Sequence, residues 1–533
     1  MTRLSGGEAV VRSLLNEGVD TVFGLPGIQN DWLYNALYDA RDDIRVLHTR
    51  HEQGAAYMAL GYALATGRVG VFNVVPGPGL LNATAALATA NSLGARVLCL
   101  TGQIPSGSIG RGFGVLHEIP DQLGVMRSLT KWAERVNSPA EVPQKLAEAF
   151  WQIASAKPQP AGLEIPMDVL ESRSEVTFPE PLPPYLPPVD ETAIEAAAKL
   201  LAEAETPMIF VGSGAQGVSS EVKALAESLQ APVVAYRTGL GVLDSRHYLS
   251  LHQPNAKPYW SKADVVLAVG SSMRIPLQKW TKNHTPKLIR IDVDPLSHNK
   301  FLTPDVAVTA KAEDALPILL KALEPLNPER ASREEELLRL KAWWAKESSV
   351  LEPQLSYLKV IREELGEDGI LVDELTQVGF AARITFPVYK PKTFISTGYQ
   401  GTLGWGFPTA LGVKVAKPDV PVISITGDGG FMFSVQELAT AVQHKIPLIT
   451  LLFNNNQYGN VQQMQKNVYG GRVIATDLHN PDFVALAQSF GAQGLRATTP
   501  EAVRQAIHKG IEHELPTLIE IPLGDVPSVD RFR

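Results

Sequence analysis

Short, nearly uninterrupted apolar runs, many of them β-branched, recur along this chain. Each is followed by turn residues and then by an amphipathic stretch of helical length. The runs are 69–75 and 97–101, then 208–211, 265–269 and 288–293, then 369–372, 422–426, 448–453 and 517–521. A strand apolar on both faces is buried on both faces, and strands alternating with helices build parallel sheets covered on either side. Two breaks divide the series. Residues 178–189 carry six prolines (179, 181, 183, 184, 187 and 188), which suit neither a helix nor a sheet interior. Residues 323–351 begin with Glu324-Pro325-Leu326-Asn327-Pro328 and continue as a highly charged stretch, 332–348, expected to be a solvent-exposed connector helix. The expectation is an α/β chain of three doubly wound parallel-sheet domains, over 1–178, 190–323 and 351–533. Ligands of such sheets sit at the carboxyl ends of the strands.

Composition narrows the function classes. Lys and Arg total 48 and Asp and Glu 56, a net charge of −8 with no basic stripe, so no nucleic-acid partner is expected. The single cysteine, Cys99, excludes an internal disulfide and a cysteine-rich zinc site. No apolar run reaches the ~18 residues of a membrane span, and the first residues hold no apolar signal core. A soluble, multidomain cytoplasmic protein without membrane partners is the expectation.

The third segment carries the sharpest motif. The strand expected at 422–426 runs into Gly427-Asp428-Gly429-Gly430, and the strand at 448–453 into Asn454-Asn455-Asn456-Gln457-Tyr458-Gly459. Two neighbouring strands therefore present Asp428 and Asn455, 27 residues apart, at their carboxyl ends. Glycines let main-chain amides approach a phosphate at a helix start. A carboxylate with an amide oxygen suits a hard cation such as Mg²⁺, which shares its shell with phosphate and water. Asp-Gly alone also reads as a turn.

This pattern resembles the cofactor motif of the thiamine-diphosphate-dependent enzymes related to acetolactate synthase, benzoylformate decarboxylase and benzaldehyde lyase. The resemblance covers the whole chain. It implies a thiamine-diphosphate-binding fold in the first and third domains, the first holding the pyrimidine and the third the diphosphate, with a Rossmann-like domain between. Asp428, Asn455 and the main-chain carbonyl of Gln457 would then hold Mg²⁺.

The first segment supplies a second match. His51-Glu52-Gln53-Gly54-Ala55-Ala56-Tyr57 resembles the family's helix bearing the activating glutamate. Glu52 would stand against N1′ of the aminopyrimidine, because a carboxyl in an apolar setting can hold or share a proton there. By itself Glu52 also reads as a favourable charge at a helix start. Phe23-Gly24-Leu25-Pro26-Gly27 and Pro76-Gly77-Pro78-Gly79-Leu80-Leu81-Asn82 resemble the family's first two loops, and Gly398-Tyr399-Gln400-Gly401-Thr402-Leu403-Gly404 the stretch at the bend of the cofactor. Leu403 is either the wedge between the two rings or ordinary core. The resemblance assigns Pro26, Gly27, Glu52, Asn82, Gln377, Gly401, Leu403, Asp428, Gly429, Gly430, Asn455, Gln457 and Tyr458 to the cofactor. It assigns Ile28, Gln29, His117 and Val461 to the substrate, with Glu52 and His117 catalytic.

The central segment contains Gly212-Ser213-Gly214-Ala215-Gln216-Gly217 after a strand, the spacing of a dinucleotide fingerprint. The acidic residue expected about 20 positions on is missing, and the next strand runs into Arg237. Relatives use this domain for FAD, for ADP or for neither. A packing turn is the preferred reading here.

The implied activity is a carboligase or lyase that makes or breaks a carbon–carbon bond beside the carbonyl of a 2-oxo acid or aldehyde, through an enamine. The alternative is a simple 2-oxo-acid decarboxylase of the benzoylformate type. Those enzymes place histidines at the reactive centre, whereas Gly112-Phe113-Gly114-Val115-Leu116-His117-Glu118 offers one, and the second loop has Val75-Pro76 where some carry another. His117 is either a proton carrier or a structural loop histidine. A CoA-dependent 2-hydroxyacyl lyase fits less well, and so does a flavin or nicotinamide oxidoreductase resting on Gly212–Gly217. A homo-oligomer, a dimer or a dimer of dimers, is expected, because in this family the two cofactor edges come from different subunits.

Overall fold

The computed structural model describes residues 2–532. Three six-stranded sheets run along the chain, and every pairing within them is parallel. In space, the first sheet reads Arg45–His48, Thr21–Gly24, Gly70–Val74, Val97–Gln103, Ala161–Pro166, Trp132–Arg135. The third reads Phe394–Ile395, Ile370–Val372, Val422–Gly427, Ile449–Asn454, Thr517–Pro522, Gln493–Arg496. Numbered along the chain, both have strand order 2-1-3-4-6-5. The central sheet reads Ser250–His252, Val233–Ala235, Met208–Val211, Val265–Val269, Lys287–Asp292, Val306–Thr309, which is order 3-2-1-4-5-6. That is the dinucleotide-fold order.

The expected runs all form strands, with ends shifted by a residue or two. The long central strands are buried, save the last residues, Gly427 and Asn454, of two of them, as their nearly continuous apolar character requires. Residues 178–189 carry no helix or strand. The charged helix, Glu334–Ser348, departs from the expected free connector: Leu337 and Trp344 are buried, and Trp344 Nε1 donates to the Ile384 carbonyl at 3.1 Å. Two large apolar side chains are enough to anchor a helix whose other faces are charged.

The first and third sheets meet through two helices, Glu52–Thr66 and Gly406–Ala416, both buried along almost their whole length. Their backbones touch. A Cβ at Gly61 would stand 2.0 Å from the Thr409 carbonyl oxygen, and one at Gly412 would stand 2.0 Å from that of Met58. Small residues here are a condition of the crossing.

Candidate active site

In order 2-1-3-4-6-5 the chain reverses direction across the sheet beside its first and third strands, and a crevice opens at their carboxyl ends. In the third sheet these ends lead into Asp373-Glu374 and Gly427-Asp428, with Asn454-Asn455 on the next strand. In the first they lead into the loop at Gly24–Gly27 and the one at Val75–Gly79.

Asp428 opens the short helix Asp428–Phe431 and is 2% exposed. Burial pushes its carboxyl up, while the Asn480 side chain and the main-chain amides of Gly429, Asp428 and Asn455 pull it back. Asn480 Nδ2 lies 2.7 Å from Asp428 Oδ2, 3.1 Å from Asn454 Oδ1 and 3.0 Å from Asn456 Oδ1. The segment after the strand is pinned by a neighbouring one: Tyr458 N donates to Thr476 O, and Leu478 N to Asn456 O, each at 2.8 Å. Gln457 Nε2 donates to Asp525 Oδ1 at 2.7 Å. Of the expected cation set, the Asn455 main-chain N–H thus donates to the Asp428 carboxyl, and the Gln457 side-chain bond to Asp525 leaves its main-chain carbonyl, the expected ligand, uninvolved.

Close packing explains the glycines. A Cβ at Gly429 would meet the Tyr458 ring at 2.7 Å, and one at Gly430 would meet Glu374 Oε1 at 2.8 Å. Glu374, 1% exposed, accepts from Gly404 N at 2.6 Å and from Thr426 Oγ1, so it ties the Leu403 loop to the strand leading to Asp428. Burial raises its carboxyl to about 7. Leu403 is half-buried, between Gly401 and Gly404 at φ 59° and 77°. Thr402 reaches the first domain's helices, meeting Tyr57 OH and Thr89 Oγ1 at 3.1 Å each. Gln377 Nε2 donates to Gln463 Oε1 at 3.0 Å, but its own Oε1 is buried without a partner.

On the first edge, Glu52 is 9% exposed at the start of its helix, and Asn82 Nδ2 donates to its Oε2 at 3.0 Å. The Val75 side chain fills the space between two glycines: a Cβ would meet it at 2.5 Å from Gly27 and at 2.6 Å from Gly79, where Glu52 Oε1 is 3.6 Å away. Asn82 is thus the amide donor on the Glu52 carboxyl. Gly77, at φ 57°, donates its N–H to Gln122 Oε1 at 2.8 Å. Gln122 in turn donates to the fully buried Glu164, which pairs with Arg135.

His117 and Gln29 are brought together, Nδ1 to Oε1 at 2.9 Å, and Gln29 Nε2 donates to the Leu116 carbonyl at 3.1 Å. Glu118 accepts the amides of Gly112, Gly114 and Val115 at 3.0, 2.7 and 3.1 Å, which fixes the loop presenting His117. Ile28 stands 54% exposed beside this pair, and Val461, 53% exposed, stands on helix Gly459–Asn467 of the other edge.

Among the described residues no hydrogen bond joins Glu52 to Asp428. Besides the Thr402 bonds, Arg50 N donates to Glu437 Oε2 at 3.1 Å, and burial pushes that carboxyl up. Glu164, Glu374, Glu437, Gln122 and Asn480 are absent from the sequence-derived set. Glu164 and Glu374 had a signal, a carboxylate inside or closing an apolar strand. The others act across long sequence separations that leave no local pattern.

The donor set suits a hard divalent cation, with one carboxylate and several neutral amide oxygens. The unpartnered Gln377 acceptor suits a ligand that brings a donor. Among the described residues no group of three or more His, Cys, Asp and Glu side chains converges, and no helix is long and apolar enough to cross a membrane. In the central domain the glycine loop packs on backbone: a Cβ at Gly212 would stand 2.2 Å from the Gly270 carbonyl oxygen, and one at Gly214 would stand 2.8 Å from the Gly270 Cα.

Three family models match in sequence. The N-terminal TPP binding domain of thiamine pyrophosphate enzymes covers residues 4–125, their central domain 194–319, and their C-terminal TPP binding domain 375–521. A probable acetolactate synthase large subunit of Methanocaldococcus jannaschii is 34% identical over 99% of this chain and 93% of its own. The large subunit of acetolactate synthase isozyme 3 of Escherichia coli is 33% identical over 96% and 93%. A probable 2-ketoarginine decarboxylase of Pseudomonas aeruginosa is 33% identical over 97% and 94%. With both cofactor edges built on matching sheets and all three domain models aligned in order, the chain belongs to the thiamine-diphosphate-dependent enzymes of the acetolactate synthase family.

Proposed function

We propose that this chain is a thiamine-diphosphate- and Mg²⁺-dependent carboligase or lyase acting beside the carbonyl of 2-oxo acids or aldehydes. The observation that carries the reading is the pair of sheets with one strand order. One presents a carboxyl bound to Asn82, and the other presents an oxygen cluster around Asp428.

Asp428, Asn455 and the Gln457 main-chain carbonyl hold the cation, and Gly429, Gly430 and Tyr458 shape the diphosphate cradle. Gln377, Gly401 and Leu403 line the bend, and Pro26, Gly27 and Asn82 line the pyrimidine edge. Bound thiamine diphosphate supplies a nucleophilic carbon and an electron sink. The protein's part is orientation, exclusion of water and proton control. Glu52 holds or moves a proton at N1′ of the aminopyrimidine, with Asn82 fixing one of its oxygens. Ile28, Gln29 and Val461 face the substrate. His117, steered by Gln29, moves a proton at the substrate's reacting carbon or oxygen.

A second reading, a 2-oxo-acid decarboxylase, draws on that held imidazole and on the 2-ketoarginine decarboxylase relative. The two edges come from two chains, so the working unit is a homodimer or a dimer of dimers, in the cytoplasm. FAD or ADP is not required in the central domain, because its glycines already serve backbone packing.

The test is incubation with thiamine diphosphate, Mg²⁺ and a panel of 2-oxo acids and aldehydes, with products identified by mass spectrometry. Ligated or cleaved hydroxy-ketones support the first reading, and CO₂ with a single aldehyde product supports the second. Failure to bind the cofactor would overturn both.

A further inference from the structure

Asn480 lies outside both cofactor motifs, 25 residues beyond Asn455, in the turn before helix Phe483–Ser489. Its side-chain nitrogen is nevertheless the point on which three oxygens converge: Asp428 Oδ2 at 2.7 Å, Asn456 Oδ1 at 3.0 Å and Asn454 Oδ1 at 3.1 Å. Oxygen dipoles aimed at one point repel one another. A carboxylate at such a point swings away unless something positive holds it. An amide nitrogen with two hydrogens supplies that hold at no net charge. The bond to the carboxylate is the shortest of the three, as charge assistance predicts. It engages one oxygen of Asp428.

We infer that Asn480 is a positioning residue for the cation site. Through its two N–H groups, one shared between two oxygens, it fixes the direction of the Asp428 carboxylate and of the flanking asparagine oxygens, without itself binding the cation. This rests on the reading of Asp428 as a cation ligand. Outer partners of this kind orient ligands, and their loss typically weakens metal affinity ~10–100-fold. The effect should depend on the cation. Mg²⁺ demands near-ideal octahedral geometry, whereas Ca²⁺ accepts irregular shells. A misdirected carboxylate therefore weakens Mg²⁺ more than Ca²⁺. The side chain is half-exposed and takes no part in the helix cap, which Asp482 provides, so substitution leaves that cap in place.

The experiment is calorimetric titration of Mg²⁺, and separately of Ca²⁺, into the full chain with thiamine diphosphate, for wild type, Asn480→Leu, Asn480→Gln and Asp428→Ala. Asn480→Leu, close in shape but without N–H, is expected to lose ~10–100-fold in Mg²⁺ affinity, with a clearly smaller loss for Ca²⁺. Asn480→Gln, which keeps the amide, is expected to recover part of the Mg²⁺ affinity. If Asn480→Leu does not fold, Asn480→Ala takes its place. Mg²⁺ affinity within twofold of wild type, or equal losses for both cations, overturns the inference. Unchanged affinity in Asp428→Ala overturns the underlying site assignment instead, so the two failures are distinguishable.

Discussion

Replacing Glu374 by glutamine should remove a pH dependence from the third domain. Glu374 is buried to 1% exposure, bridges Gly404 N and Thr426 Oγ1, and has its carboxyl raised from 4.5 to about 7 by burial, with Asp373 adding to the rise. A raised carboxyl binds its proton more tightly folded than unfolded. Its contribution to stability is full below about pH 4.5 and is lost as the pH rises to about 7. At 1.36 kcal/mol per unit, the loss across that window is about 3 kcal/mol, a change of roughly 10²–10³ in the opening equilibrium. The side-chain amide of the Glu374→Gln variant has no such proton to lose. The assay is hydrogen exchange, by mass spectrometry, of peptides spanning 400–430 between pH 4.5 and 8, corrected for the intrinsic rate. Exchange reports this region directly, where a chain of three sheets would not unfold in one step. The protection of wild type should fall relative to that of Glu374→Gln as pH rises. A difference between the two that stays flat over this range would refute the argument.

Gly61→Ala should force apart the helices Glu52–Thr66 and Gly406–Ala416, because its Cβ would stand 2.0 Å from the Thr409 carbonyl oxygen. The expected cost is about 1–3 kcal/mol or more, read as a lowered melting temperature against Gly107→Ala, where a Cβ meets nothing within 4 Å. If the two edges come from different chains, co-expressed Glu52→Gln and Asp428→Ala chains should complement one another. Activity of the purified mixed dimer above either parent is the expected result, and none above either parent would place both residues in one chain's site.

What the sequence revealed follows from the distance over which each signal acts. Buried parallel strands such as Val265–Val269 and Ile449–Asn454 are legible because burial on both faces makes them continuously apolar. Arg45–His48 and Trp132–Arg135 form the two edges of the first sheet, where partial exposure admits charged residues that break the apolar run. Among site residues, Asp428 and Asn455 declare themselves through adjacent glycines and strand ends. Asn480 and Gln122 work across 52 and 45 residues, to Asp428 and Gly77, and nothing local marks them.

The central claim is that the Glu52 carboxyl, held at one oxygen by Asn82, governs proton movement on the bound cofactor. Hydrogen–deuterium exchange at C2 of bound thiamine diphosphate, followed by NMR in wild type and Glu52→Gln, tests it most directly. The account predicts that Glu52→Gln still binds the cofactor but exchanges ~10²–10⁴-fold more slowly, the usual loss when a positioned proton carrier is removed. An exchange rate equal to that of wild type, with the cofactor bound, would contradict it.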